Sequence, residues 1–579
     1  MSDIPSSIPT AKSIISDLQN PETKIKTNAI KNIQILIDQI GHDKFRKEFL
    51  PYLINCLDVE EDDCLIELSK NLGIFLEGIG GKNYIHDLFP LLETILHSDD
   101  IAIRKEINLS IEVILQNNSE NEFKNDIMKL IIDLSNSEDI GFKRNSCSLI
   151  GTCYGSFSDK ERKEMMKILR NYLNSNNQMV KIELVMCMKK ISCYMERNDF
   201  QEFFEKLFME KNDTVRFNLM DSIENLKNVI NIMDYGEFLS NIIPKLANDE
   251  SWRTRLTFSD KLPIICSFGS LIQNNVNDIR NVIINSYAKV IEDPEAEVRT
   301  SACKNLERIS EILGKENNFT KVLSKLKPLS KDEYTYVRNA LASNLLLMCP
   351  FVDKKLTNEY IYPIFSEMIK DSDHDIRMVL IKNLDKLNEV MNIDNIVQGI
   401  IPSLIEISNN KNWRIRNQIA ETIPVLGRIL NKKIFMENIL NICIKWLTDN
   451  VYAIRETACK LMKRLYDIFK GEDFEKKLLA KLSQMIKSES YLIRITVTIL
   501  IKEFVNDEYN CDFLEKKLFP YVMRLSKDKI ANIRMNCVII LKKMNKISKN
   551  RDILKDISQL LDELKRDRDI DVLYAISDN

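Results

Sequence analysis

One short pattern of residues returns along almost the whole of this 579-residue chain. In each copy a polar residue of the kind that caps helices is followed six positions later by a usually basic residue, which we call the anchor. The interval between anchors varies from 35 to 44 residues and equals 39 at every step from Arg299 to Arg494. A period of this size is typical of helical pairs that stack into a solenoid, because one pair is too small to bury its own apolar face. The anchors are Lys26, Glu67, Arg104, Lys143, Lys181, Arg216, Arg255, Arg299, Arg338, Arg377, Arg416, Arg455, Arg494, Arg534 and Leu573.

Two other columns of the pattern favour the same architecture. The cap position, six residues before the anchor, is polar in all fifteen copies, and the residue just before the anchor is apolar in all but one, where Thr254 stands. The first column is typical of turns and helix caps, and the second of a buried helix face. We therefore predict an all-α fold, an α-solenoid of fifteen helical pairs that forms a curved superhelix. Residues 1–7 would form an N-terminal tail.

The charge balance argues against nucleic acid as a partner. With 82 basic and 85 acidic residues the formal net charge is -3, whereas nucleic-acid binding needs a basic face. A local run of lysines is present, but such a run on a solenoid helix is usually a solvated face. The run consists of Lys542, Lys543, Lys546 and Lys549.

Cysteine and histidine usage predicts neither a metal site nor a cofactor. The thirteen cysteines include no Cys-x-x-Cys pair, and Cys187 and Cys193 stand six apart among apolar residues, where we expect them to be small core side chains. The four histidines form no His-x-x-x-His motif, and the glycine-rich residues 78–83 lack the Ser or Thr that follows the Lys of a phosphate loop. We therefore expect no catalytic residue, no cofactor and no enzymatic activity of the chain itself.

Nothing in the sequence predicts a membrane span or a second domain. No run of about 18 apolar residues occurs, and residues 1–19 have no long apolar core. Fourteen glycines and fourteen prolines leave no room for a flexible linker. We expect one elongated domain in a reducing compartment, the cytoplasm, with the nucleus as a further location.

The repeat also predicts where partners would bind. A basic anchor after an acidic turn favours a structural role, in which its side chain reaches the acidic turn of the adjacent repeat and forms a ladder of charged hydrogen bonds. The residues between cap and anchor have no such constraint, and they all leave the stack on one side. We call this row of turns the turn edge and expect it to be the binding surface.

Prolines recur inside the first helix of several repeats. Each removes one helical hydrogen bond and is expected to kink the helix. These residues are Pro90, Pro244, Pro363, Pro402 and Pro520.

Several turn sequences resemble those of one known family. They are DESWRTR at 249–255, EAEVR at 295–299, NWRIR at 412–416, VYAIRE at 451–456 and ANIR at 531–534. In this order along fifteen repeats they are similar to the HEAT repeats of the scaffolding A subunits of protein phosphatase 2A. Other HEAT proteins share the acidic cap and the Val-Arg pair but not these turn residues in this order. The resemblance extends over essentially the whole chain.

This resemblance implies a non-catalytic scaffold of a heterotrimeric serine/threonine phosphatase. In that family the turns of repeats 11 to 15 bind the catalytic subunit, and those of the N-terminal half bind an interchangeable regulatory B-type subunit. By position, residues 8–395 would be repeats 1–10 with the regulatory surface, and residues 396–579 would be repeats 11–15 with the catalytic-subunit surface. The implied catalytic-subunit contacts are Trp413, Arg414, Val451, Tyr452, Tyr491, Leu492, Ala531 and Asn532. The implied regulatory-subunit contacts are Asp99, Asp100, Asp213, Ser251, Trp252 and Arg253.

The N-terminal half departs from the family pattern. Repeat 5 reads NNQMVKI at 176–182, where family members carry Asp-Thr-Pro-Met-Val-Arg-Arg, and repeat 7 lacks three residues between Pro244 and Asp249. The deletion is nearly one helical turn and is expected to shift the Trp252 turn. Lys or Glu at the anchors of repeats 1, 2, 4 and 5 predicts a weaker ladder there.

Physical reasoning supports a binding edge without the family. Trp252 and Trp413 stand in turns, where the core requires no aromatic residue, whereas Trp446 lies in an apolar helix and is expected in the core. An aromatic or Arg displayed from a polar turn is the residue type that dominates interface energies. The structural alternative is that each Trp folds back over the junction between repeats.

A HEAT-repeat nuclear transport receptor, or another helical-repeat adaptor, is the alternative function. Transport receptors are also helical-repeat superhelices. They usually have longer chains and acidic inner helices, and the turn sequences above have no place in them.

Overall fold

The chain folds into helices joined by short polar turns in this computed structural model. The structure describes residues 11–56, 62–117, 121–221, 223, 232–269, 276–391, 397–505 and 511–577, and these ranges contain no strand. The tail expected at residues 1–7 lies outside them. Two compact units, Met1–Ile283 and Ile284–Asn579, are described separately below. The fold is the all-α solenoid that the repeat predicts.

The first unit contains the helices of the N-terminal repeats. Its α-helices are Ala11–Leu18, Thr23–Lys31, Ile33–Ile40, His42–Lys44, Leu50–Cys56, Asp62–Lys70, Leu72–Gly78, Phe89–Leu96, Ile101–Asn117, Asn121–Asn136, Ile140–Cys153, Asp159–Leu173, Gln178–Ile191, Arg197–Phe208, Asp213–Asp221, Ile232–Ala247, Trp252–Gly269 and Val276–Ile291, the last of which ends in the second unit. The described residues of this unit also form the π-helical turn Phe45–Phe49 and the 3-10 segments Lys82–Leu88, Tyr154–Ser156 and Ser192–Tyr194.

The second unit contains the helices of the C-terminal repeats. Its α-helices are Ala296–Lys304, Leu306–Leu313, Thr320–Leu329, Thr335–Leu345, Lys354–Leu356, Tyr362–Met368, His374–Lys382, Leu384–Val390, Val397–Ser408, Trp413–Ile429, Lys432–Ile434, Leu440–Trp446, Tyr452–Phe469, Glu472–Met485, Tyr491–Val505, Cys511–Phe513, Phe519–Leu525, Ala531–Ile547, Arg551–Leu564 and Ile570–Ser577. The π-helical turns are Thr357–Ile361, Phe435–Ile439 and Leu514–Leu518, and the 3-10 segments are Asn317–Phe319 and Cys349–Phe351.

Within each unit the helices pack as a stack of pairs. In the first unit Asn121–Asn136 packs on the second helix of its own repeat, Ile140–Cys153, which in turn packs beside Gln178–Ile191 of the next repeat. In the second unit Trp413–Ile429 and Tyr452–Phe469 make the same contact between successive repeats. Each repeat therefore contacts its neighbours, as a solenoid requires.

The column before the anchor is core, as predicted. Eleven of its fifteen members are buried, among them Thr254, and Ile25, Ile66, Phe142 and Ile493 are half-buried. Trp446 is buried too, and its indole N–H donates to the Ser408 carbonyl (3.5 Å). A repeat thus presents its apolar column inward and leaves the preceding turn residues on the surface.

Four second helices contain a break that the apolar periodicity did not predict. A single Asn in the bridge region of backbone conformation separates two helical segments, with φ and ψ of -99° and 14° at Asn383 and -93° and 0° at Asn305. Asn32 and Asn71 occupy the same place in the first unit. Their side-chain amides donate to the carbonyls of Asn28 and Glu67 (2.8 Å each), so a local side-chain bond accompanies the change of direction.

The prolines of the first helices stand in three settings, one of which is that of Pro90, the second residue of Phe89–Leu96 after the 3-10 segment Lys82–Leu88. Pro51, Pro363 and Pro520 each stand two positions after the last residue of a π-helical turn, and this wider turn moves the carbonyl with which a proline ring would clash in a regular helix. Phe435–Ile439 is the same turn with Asn441 at the proline position, so proline is not needed to form it. Pro244 and Pro402, by contrast, lie within continuous α-helices.

Two local expectations were wrong. Cys193 is exposed, because it lies in the 3-10 segment Ser192–Tyr194 after its helix has ended, where a spacing of six no longer returns to the buried face. The shortened repeat 7 does not displace its turn, since Asp249 meets Arg216 of repeat 6 in the same bidentate geometry as elsewhere (2.8 Å for both contacts).

Candidate protein-binding edge

Each turn is organised by its cap residue, which binds its own backbone and the preceding repeat. In repeat 9 the Asp332 carboxylate accepts a hydrogen bond from the Tyr334 amide (3.1 Å). It also accepts two from the Arg299 guanidinium, from Nε (2.7 Å) and Nη2 (3.1 Å). Arg299 Nη1 donates to the Asp293 carbonyl of its own turn (2.8 Å). One anchor thus fixes two successive turns relative to each other.

This arrangement recurs and forms the predicted Arg–Asp ladder. Its Nε–Oδ2 distances are 2.6–3.1 Å, and the paired side chains are largely buried, so the charged hydrogen bonds are partly shielded from water. The bidentate pairs are Arg216–Asp249, Arg299–Asp332, Arg338–Asp371, Arg416–Asp449, Arg494–Asp528 and Arg534–Asp567. The hydrogen bond to Asp249 raises the pKa of Arg216, and that to Asp528 raises the pKa of Arg494.

The ladder is interrupted where the next cap is not acidic. Arg377 faces a repeat whose cap is Asn410; it pairs instead with the exposed Glu406 (Nη1–Oε2, 3.0 Å), and its buried Nε has no hydrogen-bond partner. Arg455 faces a Ser cap, and its Nε donates to Thr496 Oγ1 (3.2 Å). Both anchors lie in the C-terminal half.

The N-terminal repeats use different contacts. Arg104 donates through Nη2 to Asp99 of its own turn (2.8 Å) and through Nε to Asn145 of the next repeat (2.5 Å), while Arg144 also binds Asp99 (3.0 Å). Lys181 makes one contact with Glu210 (2.5 Å) where an Arg would make two.

The residues proposed to bind the catalytic subunit occupy equivalent places at the start of second helices. Trp413 and Arg414 are the first two residues of Trp413–Ile429, Tyr491 and Leu492 those of Tyr491–Val505, and Ala531 and Asn532 those of Ala531–Ile547, while Val451 caps the helix that Tyr452 begins. Exposure is 54% for Tyr452, 46% for Tyr491 and 41% for Leu492. The column of turn residues therefore presents large apolar side chains from three successive repeats.

Trp413 and Trp252 share one local arrangement. Each begins a second helix and is followed by an Arg whose guanidinium carbon lies near the indole ring, at 5.0 Å for Arg414 and 5.6 Å for Arg253. Trp252 is 37% exposed and Trp413 is half-buried. The cation holds the ring at the surface, a contact worth about 0.5–1 kcal/mol at exposed sites.

Four of the residues proposed to bind the regulatory subunit meet across one junction. Ser251 Oγ donates to Asp213 Oδ2 of the preceding repeat (2.9 Å), and Arg253 Nη1 lies 3.8 Å from the same oxygen. Trp252 stands between them in sequence. Repeats 6 and 7 thus present an aromatic ring, a cation and a carboxylate as one cluster.

Asp99 and Asp100 have structural partners in repeat 3. Asp100 caps Ile101–Asn117 by accepting hydrogen bonds from the amides of Ala102 (2.7 Å) and Ile103 (3.1 Å). Asp99 is held by Arg104 and Arg144, although its side chain is 56% exposed. The structure does not group these two residues with the Trp252 cluster.

Several displayed residues were not singled out from the sequence. Ile101, Ile140 and Ile570 begin second helices and are 67%, 45% and 80% exposed. Tyr334 and Tyr336 lie in the repeat 9 turn and are 43% and 45% exposed. The signal was available, because the three isoleucines occupy the column that holds Trp252 and Trp413, three residues before the anchor.

Within the described ranges no group of three His, Cys, Asp or Glu residues could hold a metal ion. Burial raises the pKa of the Cys303 and Cys349 thiols to about 12, so both stay protonated at neutral pH. No helix in the described part of the chain combines the length and apolar character that a bilayer crossing requires.

Sequence comparisons match parts of the chain. The family model described as PPP2R1A-like HEAT repeat matches residues 277–353, and the one described as PIK3R4-like, middle domain, matches residues 351–487. The beta isoform of the human 65 kDa regulatory A-type subunit of serine/threonine-protein phosphatase 2A is 32% identical over 114 residues. This alignment covers 19% of the present chain and 19% of the human protein.

Structural comparisons extend over nearly the whole chain at low identity. A solved structure of Kap95p with RanGDP has a TM-score of 0.63 at 13% identity and aligns over 98% of this chain and 77% of that one. A crystal structure of Kap121p bound to RanGTP has a TM-score of 0.50 at 10% identity, with 97% and 70% covered. At such identity the likeness concerns the fold, which is a HEAT-repeat solenoid.

Proposed function

We propose that this chain is a protein-binding scaffold that presents its turn edge to partner proteins. The observation that carries the proposal is the repeated display of an aromatic ring at the first position of second helices, with Trp252, Trp413, Tyr452 and Tyr491 in equivalent places. Buried Arg–Asp pairs join the Trp413 and Tyr452 turns through Arg416 and Asp449, and they tie the Trp252 turn to repeat 6 and the Tyr491 turn to repeat 14. Rigid aromatic residues on a preorganised surface bind with little loss of conformational entropy.

In the finer form of the proposal, the partners are the subunits of protein phosphatase 2A. The turns of repeats 11 to 15, within residues 396–579, would bind the catalytic subunit, and those of repeats 1–10, within residues 8–395, a regulatory B-type subunit. The local match to the human beta isoform and the turn sequences support this assignment. The chain would raise the effective concentration of substrate at the active site by holding both subunits in one heterotrimer, with no chemistry or cofactor of its own.

The experiment compares the two tryptophans. Trp413→Ala should weaken binding of the phosphatase catalytic subunit by about 2 kcal/mol, or about thirtyfold, if the ring is an anchor of that interface. Trp252→Ala should spare this binding and impair a regulatory subunit, because its ring belongs to the repeat 6 and 7 cluster. Isothermal titration of both variants with both partners measures the contrast.

Thermal unfolding serves as the control. Both rings lie at the start of a helix, and removing either one leaves the repeat core intact. The melting temperature of each variant should therefore change little. If both variants instead lose the same stability and weaken both partners equally, the rings hold the repeats together and the interface assignment is wrong.

A nuclear transport receptor is the second candidate. Its support is broader in extent, since the likeness to Kap95p covers 98% of the chain, whereas the match to the phosphatase subunit covers 19%. A pull-down with the intact chain separates the two: a stoichiometric phosphatase catalytic subunit favours the first, and a GTP-loaded Ran-type GTPase with cargo favours the second. A location in the cytoplasm, with the nucleus as a further location, is consistent with either function.

A further inference from the structure

Two exposed tyrosines in the turn of repeat 9 are not among the contact residues named above. Tyr334 caps the helix Thr335–Leu345, and Tyr336 is the second residue of that helix. Their ring centroids lie 5.4 Å apart with an angle of 40° between the planes. Neither ring fills the core, because the two side chains are 43% and 45% exposed, whereas Val337 and Leu341 of the same helix are fully buried. The pair therefore forms an aromatic surface open to solvent.

Acidic residues flank this pair on both sides at the same positions of the repeat. Counted from the anchor, the tyrosines stand four and two residues upstream, and the adjacent repeats carry carboxylates at both places. These are Glu295 and Glu297 in repeat 8 and Asp373 and Asp375 in repeat 10. Glu295, Glu297 and Asp375 are exposed, and Glu333 adds a fifth carboxylate beside Tyr334.

The negative charge of these turns is poorly compensated. Among the residues that the structure describes, Glu295, Glu297 and Glu333 form no ion pair. The two anchors of these turns, Arg299 and Arg338, are already bound bidentately to ladder aspartates. Desolvation and the charge of Glu297 raise the pKa of the Tyr336 phenol.

We propose that Tyr334 and Tyr336, together with the carboxylates of repeats 8 and 10, form a docking site for an arginine-rich segment of a partner protein. A guanidinium stacks on the faces of tyrosine rings, and cations on either side of it would meet Glu297 and Asp375. Adjacent helical pairs lie about 10 Å apart, so the two acidic turns are about 20 Å apart. An extended segment of about six residues spans that distance.

Charge complementarity decides between this occupant and others. An acidic segment would be repelled by all three turns, and an anionic lipid surface likewise. The site lies in the turns of repeats 8–10, at the C-terminal end of the residues 8–395 proposed above to bind a regulatory subunit, and it includes none of the regulatory-subunit contacts named there.

Fluorescence anisotropy with the full chain and a labelled peptide of alternating Arg and Ser tests the proposal. The wild-type chain should bind this peptide and not one with Glu in place of Arg. Tyr334→Ala with Tyr336→Ala should weaken binding about tenfold, since two stacking contacts are lost. Glu297→Lys with Glu333→Lys should weaken it at least as much at low ionic strength and less at high, because salt screens exposed charges.

Two further variants serve as controls for the peptide-binding experiment. Tyr574→Ala removes a 67% exposed tyrosine in repeat 15 and should leave the affinity unchanged. Tyr334→Phe with Tyr336→Phe keeps both ring faces and should retain binding, whereas loss of binding in this variant would contradict a stacking site.

Three other results would overturn the proposal. One is undiminished binding of the Arg peptide to the double Ala variant, and another is equal binding of the Glu peptide. The third is a wild-type chain that dimerises in sedimentation analysis and becomes monomeric on the double Ala substitution, since the occupant would then be a second copy of the chain.

Discussion

Two repeats depend on the carboxylate of a single ladder aspartate. Asp528 accepts the amide of Ile530 in its own turn (3.0 Å) and both Nε (2.6 Å) and Nη2 (3.0 Å) of Arg494 from the repeat before. Loss of such a residue leaves a largely buried guanidinium without its acceptor, which costs more than the hydrogen bond itself contributes. Ladder aspartates should therefore be more sensitive to substitution than the exposed turn residues beside them.

The last ladder pair predicts a pH dependence of stability. The hydrogen bond from Arg534 lowers the pKa of Asp567 below its ordinary 3.8, against the opposing effect of desolvation. A carboxyl group whose pKa is lower in the folded than in the unfolded chain stabilises the fold at pH values above its unfolded-state pKa. This contribution to stability is lost as the pH falls from about 4 through the lowered pKa of the folded state. We expect the protection factors of the amides in Ile570–Ser577, which correct for the intrinsic exchange rate at each pH, to fall over this range. Asp567→Asn should remove that dependence and destabilise the last repeat at pH 7 by about 2 kcal/mol.

Asp556→Asn is the matched control for this pair. It makes the same chemical change at an exposed carboxylate of the neighbouring helix Arg551–Leu564. The pH profile of amide exchange should then match that of the wild-type chain. If the pH profile of amide exchange in the Asp567→Asn variant still matches that of the wild-type chain, other carboxyl groups cause the loss of stability at low pH.

The gap in the ladder at Arg377 predicts a stabilising substitution. Asn410→Asp should supply the missing carboxylate to a guanidinium that is 5% exposed and whose Nε lacks a partner. The new side chain can keep the bond that Asn410 now accepts from the amide of residue 412 (2.9 Å). We expect a gain of about 1–2 kcal/mol in thermal or urea unfolding.

A double-mutant cycle isolates the cause of that gain. In an Arg377→Gln background, Asn410→Asp should give little or no stabilisation, because the coupling arises from the ion pair. An equal gain in both backgrounds would assign the effect to the charge of the turn instead.

At the scale of helices, the apolar period predicted where each helix lies but not where it breaks. The repeat predicted one unbroken second helix in each pair, and the structure divides the one that contains the anchor Arg377 at Asn383. Buried residues continue at helical spacing on both sides of the break, with Ile381 and Leu384 next to it. The spacing of apolar residues therefore does not indicate where the helix is divided. At Asn383 the side-chain amide donates to the Ser343 carbonyl of the preceding repeat (3.3 Å), a contact between repeats that the periodicity of one helix does not contain.

The π-helical turns predict where proline is tolerated. Asn441 in repeat 12 occupies the place of Pro363 and Pro520 after the same kind of turn, whereas Ala480 holds this place in the regular helix Glu472–Met485. Asn441→Pro should cost less than about 1 kcal/mol, because the turn already makes room for the ring. Ala480→Pro should cost about 3 kcal/mol. Urea unfolding of both variants measures the difference, and equal costs would show that the turn does not accommodate the ring.

At the scale of the molecule, the sequence predicted the kind of surface better than its details. The cap and anchor columns predicted the ladder, since both partners of each bond are columns of one repeat. The exposure of single residues was harder to predict: Trp413 is half-buried while Tyr452, in the same column, is 54% exposed. That difference depends on how each ring packs on its own neighbours, such as Arg414. The residue types found at one position of the repeat do not specify this packing.

A truncated chain tests the assignment of partners to the two parts of the turn edge. A chain that ends at Leu387 loses every residue proposed to contact the catalytic subunit, from Trp413 to Asn532, and keeps the Trp252 cluster. Because repeats contact only their neighbours, the remaining ones should stay folded apart from the new end, where apolar residues such as Leu380 and Leu384 lose part of their cover. We expect binding of the catalytic subunit to be abolished and intrinsic regulatory contacts to persist weakly, because the third member of the heterotrimer no longer reinforces them.

Circular dichroism checks that helical content falls only in proportion to length. Capture of the catalytic subunit with undiminished affinity would place its surface in the N-terminal repeats, and binding of neither subunit by the truncated or the intact chain would leave the transport-receptor function as the better supported one.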